Sequence, residues 1–167
     1  LCPLSFNQQS LFFLHLLEPQ SSAYHLAFTI ELRPSADAMM LKTALARLMD
    51  RHEQLRTTYG HVRLGEELLS VQFVHASLAP VFETVDGRSW RDGEAADRVR
   101  EFYQRPFDIS QGAPLRAALF DRGPERSIFM VVVHHIAADA WSLGVIRRDL
   151  EHACLGELGK EETALSG

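Results

Sequence analysis

Ser127-Ile128-Phe129-Met130-Val131-Val132-Val133-His134 is the stretch that decides the fold. The unbroken run from Ile128 to Val133 has the length of a strand, and a strand apolar on both sides belongs in the middle of a sheet. It runs out into His134-His135-Ile136-Ala137-Ala138-Asp139-Ala140-Trp141-Ser142. Leu143, Ile146, Leu150 and Cys154 then recur at helical spacing, so a helix closes the pattern.

Outward from this strand, residues 115–120 read as a neighbouring strand, joined to it by the turn Arg122-Gly123-Pro124-Glu125. Ser89 is the expected cap of a helix whose inner stripe is Ala95, Val99, Phe102 and Tyr103, ending before Pro106. Residues 55–59, 68–75 and 81–85 read as short strands, with Gly60 and Gly65 as turn glycines. Pro34-Ser35-Ala36-Asp37 starts an amphipathic helix with Ala38, Leu41, Leu45, Leu48 and Met49 on one face. Strict alternation over residues 24–33 is a strand with one wet face. Ser5-Phe6-Asn7-Gln8 has the spacing of a capping box, and the apolar residues after it predict a mostly buried helix to about Leu17. The mixed order of helices and strands predicts an α/β, that is α+β, sandwich with helices covering a mixed sheet.

Composition bounds the function classes. With 167 residues, 46% of them hydrophobic, the chain is one globular domain able to bury a core. Its 17 Lys and Arg against 22 Asp and Glu leave a charge of −5, which repels a nucleic-acid backbone. No apolar run approaches the roughly 18 residues of a membrane span. Cys2 and Cys154 form no C-x-x-C pair, which fits a reducing cytoplasm. The chain begins at Leu1 without a signal pattern and ends in the polar stretch 156–167, so we expect a lobe over 1–155, a linker or tail over 156–167, and a longer parent polypeptide.

The two histidines at the strand end carry the chemistry that residue type alone allows. A histidine exchanges protons near neutral pH, and Asp139 is placed to orient an imidazole or brace its loop. On spacing alone, a histidine there is also ordinary packing. A metal site of His134, His135 and Asp139 is disfavoured, because adjacent strand residues point to opposite faces. Arg56 falls within an expected strand and needs a partner; Asp139 is one candidate, while Arg51 and His52 suit a solvated helix end. No nucleophile elbow and no glycine-rich phosphate loop is present. Glu66-Glu67 and Glu161-Glu162 read as solvated surface.

Three segments, in order, resemble the first three motifs of condensation domains from nonribosomal peptide synthetases. Residues 5–14 are similar to S-x-A-Q-x-R-x-W-F-L; Arg51-His52-Glu53-Gln54-Leu55-Arg56-Thr57-Thr58-Tyr59 to R-H-E-x-L-R-T-x-F; and residues 134–142 to H-H-x-x-x-D-G-W-S. Residues 105–116 resemble the family's lead-in to the core strand.

The resemblance implies a chloramphenicol acetyltransferase-like half, the N-terminal lobe of a two-lobed acyltransferase of secondary-metabolite assembly lines. It implies the catalytic set His135, His134 and Asp139, with His135 beside the acceptor amine, His134 supporting the geometry, and Asp139 structural and paired with Arg56. Ala140, Trp141 and Ser142 are implied to line the substrate tunnel. Substrates would arrive on the phosphopantetheine arms of upstream and downstream carrier proteins, with no cofactor or metal bound directly. The missing C-terminal lobe would be a further partner, its absence leaving the isolated lobe inactive and prone to self-association. Ala140 stands where the motif has glycine, a departure that matters if the position needs φ > 0. Ester formation with an alcohol, or a non-catalytic lobe that docks carriers, are the rival readings.

Overall fold

The computed structural model of this protein describes residues 1–154. The expected linker at 156–167 lies outside the described residues. Among the described residues two sheets are present where one was expected. The larger has the order β2 (His25–Leu32), β7 (Ser127–His134), β6 (Leu115–Asp121), β5 (Val81–Asp86). Its strands pair antiparallel except β5 and β6, which run parallel across the helix α3 (Asp92–Gln104). The smaller sheet is antiparallel, β1 (Cys2–Pro3), β4 (Glu67–Val74), β3 (Thr57–Leu64).

β7 is central, as its unbroken apolar run predicts, and its period of two supplies both cores. Phe129, Val131 and Val133 pack with Leu41, Leu45 and Leu48 of α2 (Ala38–Arg51) and with Ile146 and Leu150 of α4 (Ala140–Cys154). Met130 and Val132 pack on the opposite face with Phe102, Tyr59, and Phe12 of α1 (Phe6–Leu17). Each such fully buried side chain contributes about 1.5–3 kcal/mol.

Local signals behave as their chemistry requires at two helix starts. Ser5 and Gln8 form the reciprocal capping box at α1. Asp37 accepts from Met39 N–H and Met40 N–H at the start of α2. Elsewhere the structure corrects the reading. Residues Glu53–Arg56 form a 3-10 turn rather than the start of a strand, and β3 begins at Thr57. Gly60 lies inside β3, where a Cβ would come within 3.3 Å of the Phe73 ring, while Gly65 (φ 63°) makes the β3–β4 turn. Ser89 caps nothing: a turn closed by Trp90 N–H on Gly87 C=O delays α3 to Asp92.

The largest departure is α1. Only Phe12 is buried, and Phe6, Phe13, Leu16 and Leu17 are exposed. One stripe of the helix meets the rest of the chain, and its remaining apolar side chains face outward. No described helix is long and apolar enough to cross a membrane.

Candidate functional site

β7 delivers two histidines into opposite surroundings. His134 N–H donates to Pro114 C=O (2.9 Å) and His135 N–H to Tyr24 C=O (2.8 Å). The strand thus stays paired on both sides through His135, and alternation sends the two rings to opposite faces. A turn follows, with Ala137 N–H on His134 C=O.

His134 is 1% exposed. Its Nδ1 lies 3.2 Å from Ile136 N–H and must accept, so the neutral ring carries its proton on Nε2. Edge-on contacts surround it: His15 at 5.3 Å between ring centroids, Phe107 at 6.0 Å and His25 at 6.2 Å. Burial first, then the charges His15, His25, His135 and Arg116 would carry, push its pKa down to about 3. This ring is a neutral packing element at any physiological pH.

Behind it, His25 Nδ1 donates to Tyr103 C=O at 2.8 Å, and burial lowers its pKa too. Arg116 lies 3.9 Å above the Phe107 ring and donates to the carbonyls of Phe102, Tyr103, Arg105 and Pro106, closing the carboxyl end of α3. Burial lowers its pKa to about 10, so the guanidinium remains charged.

His135 is half-buried, at the start of a loop held from several sides. Gln8 Nε2 (3.4 Å) and the Tyr59 hydroxyl (3.5 Å) both approach the carbonyl of Ile136, the next residue. The three sequence motifs therefore meet on one peptide group. Burial raises the Tyr59 pKa, keeping the phenol a donor.

Asp139 is exposed, and its Oδ1 accepts from Ser142 Oγ (2.6 Å) and Ser142 N–H (2.7 Å). It is the N-cap of α4, and these bonds hold its carboxyl below the usual range. The expected Asp139–Arg56 pair does not form. The 3-10 turn directs Arg56 to His75 C=O and to Glu53 Oε1 (3.2 Å), while Asp139 is engaged by its own helix.

The buried carboxylate that binds α4 to the second motif is Asp149, 4% exposed. Its Oδ2 lies 2.7 Å from His52 Nε2 and 3.3 Å from Arg51 Nε. Arg51 and His52, expected at a solvated helix end, are thus the clasp between α2 and α4. Sequence reading missed Asp149, Tyr59, Gln8 and His25 as site residues. The Asp139-x-x-Ser142 spacing was a legible capping signal for the loop itself.

Of the other expected tunnel residues, Ser142 is half-buried, Ala140 is exposed and Trp141 is 83% exposed. Ala140 sits in the first turn of α4, and no described non-glycine residue has positive φ, so the feared backbone strain does not arise. Among the described residues no three metal-ligating side chains are gathered as a metal site needs. A cavity of about 260 Å³ opens beside the loop, between the 3-10 turn and the first two turns of α4. A groove of about 620 Å³, lined by Phe12, His15, Tyr59 and Phe107, opens on the opposite side.

A family profile described as "Condensation domain" matches residues 1–166. The chain belongs to the condensation-domain family. It is 37% identical over 152 residues to a linear gramicidin synthase of Brevibacillus parabrevis, covering 89% of this chain and 2% of that protein. It is 38% identical over 153 residues to chondramide synthase cmdD of Chondromyces crocatus, covering 89% and 4%.

The chain therefore spans a few per cent of these relatives' length. A four-domain nonribosomal peptide synthetase bound to AMP and glycine superposes with a TM-score of 0.81 at 21% identity, over 91% of this chain and 11% of that one. The starter condensation domain of rhizomide synthetase RzmA gives 0.77 at 22%, over 91% and 38%. The X-domain from teicoplanin biosynthesis, in its complex with OxyB, gives 0.74 at 29%, over 92% and 32%. The condensation-domain chain thus has the expected α+β, chloramphenicol acetyltransferase-like fold.

Proposed function

We propose that this chain is the N-terminal lobe of a condensation domain in a cytoplasmic assembly line. It acts as an acyltransferase that joins a carrier-tethered donor thioester to a carrier-tethered acceptor amine. Both substrates ride on phosphopantetheine arms, and the C-terminal lobe supplies the second wall of the channel. The observation that carries this reading is the half-buried His135, fixed through its own N–H to Tyr24 and followed by a peptide that Gln8 and Tyr59 approach together.

The acceptor nitrogen attacks the thioester carbonyl carbon, a C–N bond forms, and the C–S bond breaks. The proton lost by the amine ends on the departing thiolate, with the His135 imidazole in position to relay it or to hold the amine in line. His134, neutral and pinned to Ile136 N–H, fixes the turn without touching substrate. Asp139 acts through α4, as its cap, rather than through Arg56.

Loaded donor and acceptor carriers, supplied to the synthetase that carries this chain, test the reading. His135→Ala is expected to lower product formation by about 10²–10⁴-fold. Unchanged formation would dismiss the catalytic role and leave a docking lobe. Product from free alcohols but not from tethered amines would favour ester formation.

A further inference from the structure

His25 is a buried titratable residue for which the reaction described above has no use. It opens β2, on an edge of the larger sheet, and is 5% exposed. Nδ1 donates to Tyr103 C=O at 2.8 Å, so the neutral ring keeps Nε2 as an acceptor, and no group of the protein donates to it. Phe107 and Tyr103 meet the ring edge-on, at 5.0 and 5.7 Å between centroids. Tyr103 C=O also accepts from Arg116, so that carbonyl stays paired without the imidazole. An apolar side chain of similar size would pack here and strand no buried donor, and stability alone does not call for a histidine.

What the imidazole supplies is one half of an exchange. Nδ1 donates to Tyr103 C=O, and the Tyr103 hydroxyl donates back to His25 C=O at 3.0 Å. The first residue of β2 is thereby tied to the last turn of α3. His25 lies opposite His134 in the ladder, yet the N–H groups of the pair go elsewhere, His25 to Ser22 C=O and His134 to Pro114 C=O. The residue before His25 is Tyr24, whose C=O accepts the His135 N–H at 2.8 Å. Tyr24 ends the connection from α1, where the other described hydrogen bonds are local: Ser21 N–H to Glu18 C=O and Ala23 N–H to Ser21 Oγ. The carbonyl that holds His135 is therefore anchored, from the very next residue, by His25 and Tyr103.

We propose that His25 and Tyr103 are positioning residues for His135: their exchange fixes Tyr24, and Tyr24 fixes the backbone that aims the reacting imidazole. The proposal rests on the reading of His135 as the group beside the acceptor amine. Neither side chain touches substrate. Both act through one peptide unit, where a displacement of about 1 Å is enough to lower a rate by about 10²-fold.

The test separates aim from docking and from folding, in the synthetase that carries this chain, supplied with loaded donor and acceptor carriers. His25→Leu fills the space but cannot donate. It is expected to lower kcat about tenfold or more, with KM for each carrier within about twofold of wild type and little change in melting temperature. His25→Asn puts an amide N–H where Nδ1 lies and is expected to restore kcat to within about threefold of wild type. Tyr103→Phe removes only the returned bond and is expected to lower kcat severalfold. Combined with His25→Leu it should cost no more than His25→Leu alone, because the two residues form one link.

A kcat within about twofold of wild type in both His25→Leu and Tyr103→Phe would overturn the proposal. So would a loss expressed as a raised KM, which marks carrier docking, or a loss that His25→Asn leaves unrescued, which marks packing. If His25→Leu does not fold, as its melting curve would reveal, Tyr103→Phe decides alone. His135→Ala keeps the two readings apart. Full activity in that variant refutes the catalytic assignment and the positioning with it, whereas an inactive His135→Ala beside unmoved His25 and Tyr103 variants refutes the positioning alone.

Discussion

His134 and His135 are chain neighbours of one chemical type, yet they sit in different surroundings. His134 is enclosed by His15, His25 and Phe107, and burial holds it neutral. His135, one peptide further, keeps part of its surface open at a cavity-flanked loop. The difference comes from strand alternation at the end of β7, which sends one ring to the aromatic face and the other away from it. Residue identity set the chemistry available, and the pleat decided which copy keeps part of its surface open.

The sharpest way to break this contrast is to exchange the two losses. His135→Ala should cost the rate given above with little change in melting temperature. His134→Ala should cost about 2–4 kcal/mol of stability in urea unfolding, through a buried gap and an unpaired Ile136 N–H. Equal stability losses would erase the division. Next comes Asp149→Ala, which strands Arg51 and His52 at the α2–α4 contact. We expect about 3–5 kcal/mol of destabilisation by the same measurement.

Acid should act through the enclosed ring. Unfolded histidine titrates near 6.5 and folded His134 near 3, so below pH 6.5 the unfolded chain binds a proton that the folded chain refuses. Stability is then fully present above about pH 6.5 and falls toward pH 3 by roughly 1.4 kcal/mol per unit, with His15 and His25 adding in the same direction. A His134→Phe variant should flatten that slope in pH-dependent unfolding. The smallest effect belongs to Asp139→Ala, an exposed cap whose loss should lower melting by a few degrees. A drop as large as that of Asp149→Ala would restore a long-range role for Asp139.

These ranks show where the sequence was legible. The capping box at Ser5, the stripe of α2 and the central place of β7 follow from short-range spacing, and spacing is what a sequence displays. Pairing of Arg56 was misjudged because a 3-10 turn rotates it toward His75, and no propensity announces that turn. The exposure of α1 was hidden for a different reason: its apolar residues surround the helix, so composition cannot say which stripe meets the core. Asp149 was invisible because its partners lie on another helix.

β2 and β7 zip together over their whole length, from His25 against His134 to Leu32 against Ser127. The ribosome makes one of these strands early and the other last among the strands described. Until residue 134 has emerged, β2 and β6 both offer unsatisfied edges, and the nascent chain has no centre to its larger sheet. A message truncated before this point would release a chain bearing two adhesive borders, a ready client for chaperones and a seed for aggregation.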